Sequence, residues 1–424
     1  MKKFMTEKFI VEPCKNLRGT IEIGGAKNAV LPILAAALLT EQNCALQNIP
    51  DLSDVRAMCA LLESFGAKTF FSNNSLTVDA SRADSSDASY ELVGKLRASF
   101  LVMGSLLARF GRAKVPLPGG CAIGTRPVDL HLKGFAALGA EIDHSHGFVT
   151  ARAKKLHGAK IYLDFPSVGA TENIMMAAVL AQGQTILENC ASEPEIVDLA
   201  NFLNTIGAKI RGAGTDTIKI EGVANLFSNE KNYSVIPDRI EAGTFMIAAA
   251  ITRGDVTLAN VTPDHVKPVT AKLKEVNISV EENENGVRVF CSPENKIIAA
   301  DLKTLPYPGF PTDMQAQFMS LMSTAIGTSV ITETVFENRF MQVGELKRMG
   351  ADIKIESRSA IVEGVERLTG TQVCASDLRA GAALVLAALR AEGTTEITGI
   401  HHIDRGYENF DLRMNKLGAK IERC

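Results

Sequence analysis

The chain has no tryptophan, and aromatic residues make up only 6% of its 424 positions, which leaves little from which to build base-stacking platforms. It also lacks an excess of either charge. Its 45 Lys and Arg against 48 Asp and Glu leave a formal net charge of −3 and a pI near 6.2. That balance argues against nucleic acid or an anionic membrane as the main partner. The longest apolar run, residues 29–39, is too short to span a bilayer. Residues 1–13, interrupted by Lys8 and Glu12, hold no signal-peptide core. Eight cysteines are present (14, 44, 59, 121, 190, 291, 374 and 424), without a CxxC pair or metal-ligand spacing. Most stand in apolar settings such as Ala57-Met58-Cys59-Ala60-Leu61, as expected of reduced thiols in the cytosol. The composition, 46% apolar, predicts a soluble cytoplasmic protein of two or three domains.

What the chain does have is self-similarity. A Gly-Ala phrase closes a helical pattern at Gly66-Ala67, Gly139-Ala140, Gly207-Ala208, Gly350-Ala351 and Gly418-Ala419. Asn277 replaces the glycine in the one gap, as a left-handed helix cap. The spacings, 68 to 73 residues, divide the chain into six units. Each begins with a small-residue apolar helix (29–39, 98–108, 174–181, 245–251, 317–325, 382–389). A short strand, a variable loop, an amphipathic helix and a closing strand or hairpin follow. Helices that are apolar almost all round belong inside, so three units per domain should wrap sheets around buried helices. A boundary near residue 236 makes two similar domains with a cleft between them. The polar and glycine-rich residues before each buried helix mark candidate anion sites at helix N-termini.

One loop stands out. In Leu117-Pro118-Gly119-Gly120-Cys121-Ala122-Ile123-Gly124-Thr125-Arg126, a thiol sits among glycines with no apolar periodicity to pack into. A cation nearby stabilises a thiolate, so Cys121 reads as a chemical group rather than as a small buried hydrophobe. His144 and His146 read as exposed hairpin residues, not as metal ligands.

With these motifs in order, the chain resembles the UDP-N-acetylglucosamine 1-carboxyvinyltransferase family over essentially its full length. The anchors are Gly24-Gly25-Ala26-Lys27-Asn28-Ala29, residues 118–131 through Arg126-Pro127-Val128-Asp129-Leu130-His131, and Ser167-Val168-Gly169-Ala170-Thr171. Later come Phe310-Pro311-Thr312-Asp313-Met314, Phe336-Glu337-Asn338-Arg339-Phe340, Ser376-Asp377-Leu378-Arg379-Ala380 and His402-Ile403-Asp404-Arg405-Gly406-Tyr407. The resemblance implies a two-domain inside-out α/β barrel of six repeats. One domain spans residues 21–236. The other combines 1–20 with 237–424, and the active site lies in the cleft between the two. It implies transfer of the enolpyruvyl group of phosphoenolpyruvate to the 3′-hydroxyl of UDP-N-acetylglucosamine with release of phosphate. That step opens peptidoglycan precursor synthesis, and with it cell-wall biogenesis, cell shape and division. No cofactor, metal, nucleic acid or membrane insertion is implied.

The resemblance also assigns roles. Lys27, Arg126 and Arg405 take the phosphate of phosphoenolpyruvate, Arg339 and Arg379 its carboxylate, and Asn28 also binds it. Guanidinium forks suit both anions. Cys121 is the implied proton donor, the seat of a covalent phospholactoyl adduct, and the target of the epoxide fosfomycin. Asp313 is the implied base, and capping the helix that follows is its structural alternative. Lys27 and Arg405 share the catalytic role. Arg97, Arg126, Pro127, Val128, Asp129, Leu130, Ser167, Val168, Gly169, Asp313 and Val335 line the nucleotide sugar. Some family members carry a lysine two positions before the serine, where this chain has Phe165. The nearest alternative is a 5-enolpyruvylshikimate-3-phosphate synthase-type transferase, which is not expected to have the cysteine loop. A non-catalytic repeat scaffold would lack the arginine constellation.

Overall fold

The computed structural model describes residues 7–117, 128–227, 232–284, 286–292 and 295–424. These fall into two compact units, 7–24 with 237–424, and 25–117 with 128–236. Each has its own hydrophobic core. The first crossing comes after Gly24, not at the expected residue 20. Strand Arg18–Glu22 pairs along its whole length with Asp255–Ala259 and so stays with the second half of the chain.

Three inner helices pack on one another in each unit: Lys27–Ala36, Val102–Phe110 and Val168–Ala178 in one. In the other they are Arg239–Ile251, Gln315–Met322 and Leu378–Arg390. Their small residues permit the approach. A Cβ at Gly104 would lie 2.2 Å from the Asn173 carbonyl oxygen on the neighbouring inner helix, and one at Gly381 would lie 2.6 Å from Ile403 in the short helix Ile400–Arg405 that packs on Leu378–Arg390. Burial on every side explains why these stretches read as apolar all round.

Three sheets surround the inner helices in each unit, giving the inside-out α/β barrel. The pattern repeats. The strand after an inner helix, for example Gln184–Glu188, takes a parallel partner on one side (Lys160–Tyr162). On its other side lies the antiparallel hairpin Lys209–Arg211 and Thr217–Glu221. Between the outer helix and its hairpin, Gly66, Gly139, Gly207, Gly350 and Gly418 all have φ between +91° and +102°. Asn277, at φ +67°, fills the same left-handed position as a residue that tolerates it.

The repeats are completed out of chain order. In the last sheet Lys8–Glu12 lies between Thr395–Thr398 and Lys420–Arg423, so an early strand supplies the sixth hairpin. Tyr233–Ser234 gives the first repeat its parallel strand, and Arg18–Glu22 gives the fourth its own. Among the described residues, no helix is long and apolar enough to cross a membrane.

Candidate active site

The unit containing residues 25–236 presents a lysine and two helix starts. Lys27 opens its inner helix, and its ammonium pairs with the nearly buried Asp54 carboxylate at 2.7 Å. The approach to it must be glycine, because a Cβ on Gly25 would stand 1.7 Å from the Asn48 carbonyl oxygen. Asn28, next along the helix, is exposed. Ser167 caps the helix Val168–Ala178, its hydroxyl accepting from the Ala170 amide. Val168 and Gly169 are half-buried in its first turn. Val128 and Leu130 are half-buried and Asp129 exposed at the start of helix Asp129–Ala137.

Behind these two starts, Asn173 ties the elements together. Its Nδ2 lies 3.0 Å from Nδ1 of His131 and donates to the Phe100 carbonyl at 2.9 Å, while its Oδ1 accepts from the Gly104 amide. Burial pushes the His131 imidazole down to about 4, so it is neutral at physiological pH. One turn into the Ser167-capped helix, burial and then Glu195 and Glu193 hold the Glu172 carboxyl well above its ordinary value.

The other unit gathers the arginines. Asp313 receives Arg339 Nη2 at 2.7 Å and Arg379 Nη2 at 2.9 Å, with Arg379 Nε at 3.3 Å. Burial alone would raise the Asp313 carboxyl, but Arg379 and Arg339 outweigh it and hold it well below the usual carboxylate range. Asp313 lies in the turn Thr312–Met314, and its carboxylate goes to the two arginines. Arg339 also donates to Thr312 at 3.0 Å, and Thr312 donates to Glu333 at 2.8 Å. Glu333 in turn accepts from the Val335 amide at 2.8 Å, which links the Val335 segment to the Asp313 turn. Arg405 ends the short helix Ile400–Arg405.

Two of the expected anion sites at helix N-termini are filled from within. Asp238 accepts from the Ile240 and Glu241 amides, and Asp377 from those of Arg379 and Ala380. Their carboxylates do what an incoming anion would have done.

The expected site residues Cys121, Arg126 and Pro127 lie outside the described residues, as does the side chain of Arg97. The seven described cysteines are free thiols. Burial pushes Cys44 up to about 12, and Cys59 and Cys190 up to about 11.

Comparison with known proteins settles the affiliation. The UDP-N-acetylglucosamine 1-carboxyvinyltransferase 1 of Caldanaerobacter subterraneus subsp. tengcongensis is 61% identical over 99% of this chain and 100% of its own. The UDP-N-acetylglucosamine 1-carboxyvinyltransferase of Halothermothrix orenii is 54% identical over 98% and 99%. The chain belongs to this family. It is a transferase, and its residues 11–414 match the broader family described as EPSP synthase (3-phosphoshikimate 1-carboxyvinyltransferase). The enolpyruvyl transferase NikO from Streptomyces tendae has the same fold, with a TM-score of 0.88 at 24% identity over 99% of both chains. An EPSP synthase from Acinetobacter baumannii superposes with a TM-score of 0.76 at 20% identity over 99% and 100%.

Phe165, two positions before Ser167, is an exposed aromatic. Two neighbours of the expected site residues carried no assignment in the sequence, Asp54 and Glu333, and Tyr407 stood only as the end of the His402–Tyr407 motif. Asp54 carried only the weak signal of an acidic residue in a first helical turn. Glu333 carried none, because its side-chain partners Thr304 and Thr312 lie 29 and 21 residues away in sequence.

Proposed function

We propose that this chain transfers the enolpyruvyl group of phosphoenolpyruvate to the 3′-hydroxyl of UDP-N-acetylglucosamine, releasing phosphate, in the cytoplasm of a cell building peptidoglycan. The observation that carries this reading is full-length identity of 54% to 61% with proteins named for that reaction. The convergence of Arg339 and Arg379 on one carboxylate supports the chemistry, since two guanidinium forks that hold Asp313 have the spacing to hold a substrate carboxylate. Lys27, Arg126 and Arg405 take the phosphate, and Asn28 also binds phosphoenolpyruvate. The nucleotide sugar lies along Arg97, Arg126 to Leu130, Ser167 to Gly169, Asp313 and Val335.

In the reaction Cys121 gives a proton to the methylene carbon of phosphoenolpyruvate as the sugar oxygen bonds to the adjacent carbon. Asp313 takes the hydroxyl proton. Loss of phosphate and of one methyl proton then restores the double bond. An incoming carboxylate competes with Asp313 for Arg339 and Arg379. Each guanidinium it takes over leaves Asp313 a stronger base.

A coupled phosphate-release assay tests the assignment. Release should depend on UDP-N-acetylglucosamine. Release with shikimate 3-phosphate in its place would overturn the reading in favour of the sister transferase.

A further inference from the structure

We infer that Tyr407 is a positioning residue for phosphoenolpyruvate binding, its buried hydroxyl setting the plane in which Arg379 presents its guanidinium. This rests on the proposed role of Arg379 as a carboxylate ligand. Tyr407 is 1% exposed and its ring packs against Phe410, with centroids 4.7 Å apart. Its hydroxyl meets Thr244 Oγ1 at 2.8 Å, Arg379 Nη1 at 3.1 Å and Gln317 Nε2 at 3.3 Å.

Proton accounting gives these contacts a direction. The Thr244 hydroxyl has one proton and lies 2.8 Å from the Ile240 carbonyl. With that proton on Ile240, Tyr407 donates to Thr244, and its oxygen accepts from Gln317 and Arg379. Gln317 also donates to Thr244 at 3.1 Å and holds the arrangement from the neighbouring inner helix. The Nε and Nη2 edge of Arg379 is on Asp313 and its Nη1 is on Tyr407, which fixes the rotation of the guanidinium about its last bonds. Were phosphoenolpyruvate to displace Asp313, the Tyr407 bond would keep that orientation.

The same residue locates a second cation. Tyr407 follows Arg405 by two positions, and the Gly406 and Tyr407 amides both donate to the Ile403 carbonyl. Gly406 lies flat against Leu378, the neighbour of Arg379, where a Cβ would be 2.7 Å from a Leu378 methyl. Anchoring Tyr407 thus fixes the backbone next to both arginines.

The test is steady-state kinetics on the full-length enzyme with both substrates varied. Tyr407→Phe keeps the ring and its packing, so a merely structural role predicts parental constants. Positioning predicts a KM for phosphoenolpyruvate raised about tenfold, the scale of one hydrogen bond to a charged group. The KM for the nucleotide sugar should stay near parental. Thr244→Val, which removes the acceptor, should move the same constant in the same direction, and Thr244→Ser should restore it. Arg379→Lys is the control for the underlying reading. If it leaves that KM unchanged, the role of Arg379 fails. If it raises the KM while Tyr407→Phe does not, the inference about Tyr407 is overturned.

Discussion

At the scale of single residues the two proposed proton-transfer groups stand in different settings. Asp313 is locked between two guanidiniums, whereas Cys121 stands in a glycine-rich stretch. Cys121→Ala should abolish turnover and leave the Tm nearly unchanged. Cys121→Asp is the sharper variant, because a carboxyl can still donate a proton yet offers no sulfur to an epoxide. Ordinary values are about 8.5 for Cys and about 3.9 for Asp, so the acid form of the variant is populated at lower pH and its optimum should move toward acid. The parent should be inactivated by fosfomycin and the variant should survive the same concentrations, as rate against pH and inactivation time courses would show. Asp313→Asn should lose most of the chemical step and some stability, since a neutral amide leaves Arg339 and Arg379 uncompensated. The pH sign follows from the depressed carboxyl. Its stabilisation is complete above the unfolded value, about 3.9, and is lost as pH falls through the lower folded value. Melting curves of the parent should therefore steepen downward below about pH 4, and the Asn variant should lack that component.

At the scale of elements the repeat is held by a left-handed backbone position that glycine takes most readily and that Asn277 takes once. A Cβ at Gly418 meets nothing within 4 Å, so Gly418→Ala isolates the cost of φ +100°. Denaturant unfolding should put it at about 1 kcal/mol. Gly222→Ala should cost several times more, because its Cβ would fall 1.6 Å from the Ala181 carbonyl oxygen and the hairpin would have to move away from the turn that follows the inner helix Val168–Ala178. Gly364 stands in the same relation to Ala325, also at 1.6 Å, so one close approach is used in both halves of the chain. If the Gly222 variant melted like the Gly418 variant, the closeness of that approach would not matter to stability.

At the scale of the whole molecule, each unit depends on strands from distant parts of the chain. Phe9 and Val11 are fully buried on the strand Lys8–Glu12, which pairs with Thr395–Thr398 and Lys420–Arg423. Removing residues 1–13 would forfeit roughly 4 kcal/mol of apolar burial, or about 10 °C in Tm for a unit of this size. Calorimetry should show the loss in the transition of the unit holding residues 237–424. A truncated chain that melts like the parent would mean that the strand adds nothing to that core.

The sequence by itself determined the repeat, the buried helices, the glycine caps and the family, because each is written in local periodicity or in contiguous motifs. Asn277 was legible as a cap for the same reason, since its left-handed backbone follows from its place in the period. Arg339, Arg379 and Asp313 were legible as functional residues, but not as a mutually saturated cluster. Their convergence depends on three segments brought together by inner-helix packing, and no spacing along the chain encodes it. The partners Asp54, Glu333 and Tyr407 were decided only by the tertiary structure. So was the strand exchange that moves residues 21–24 into the second unit. In each case the deciding interaction is a hydrogen bond, an ion pair or a strand pairing between positions far apart in sequence, and its strength comes from a burial that only the folded chain provides.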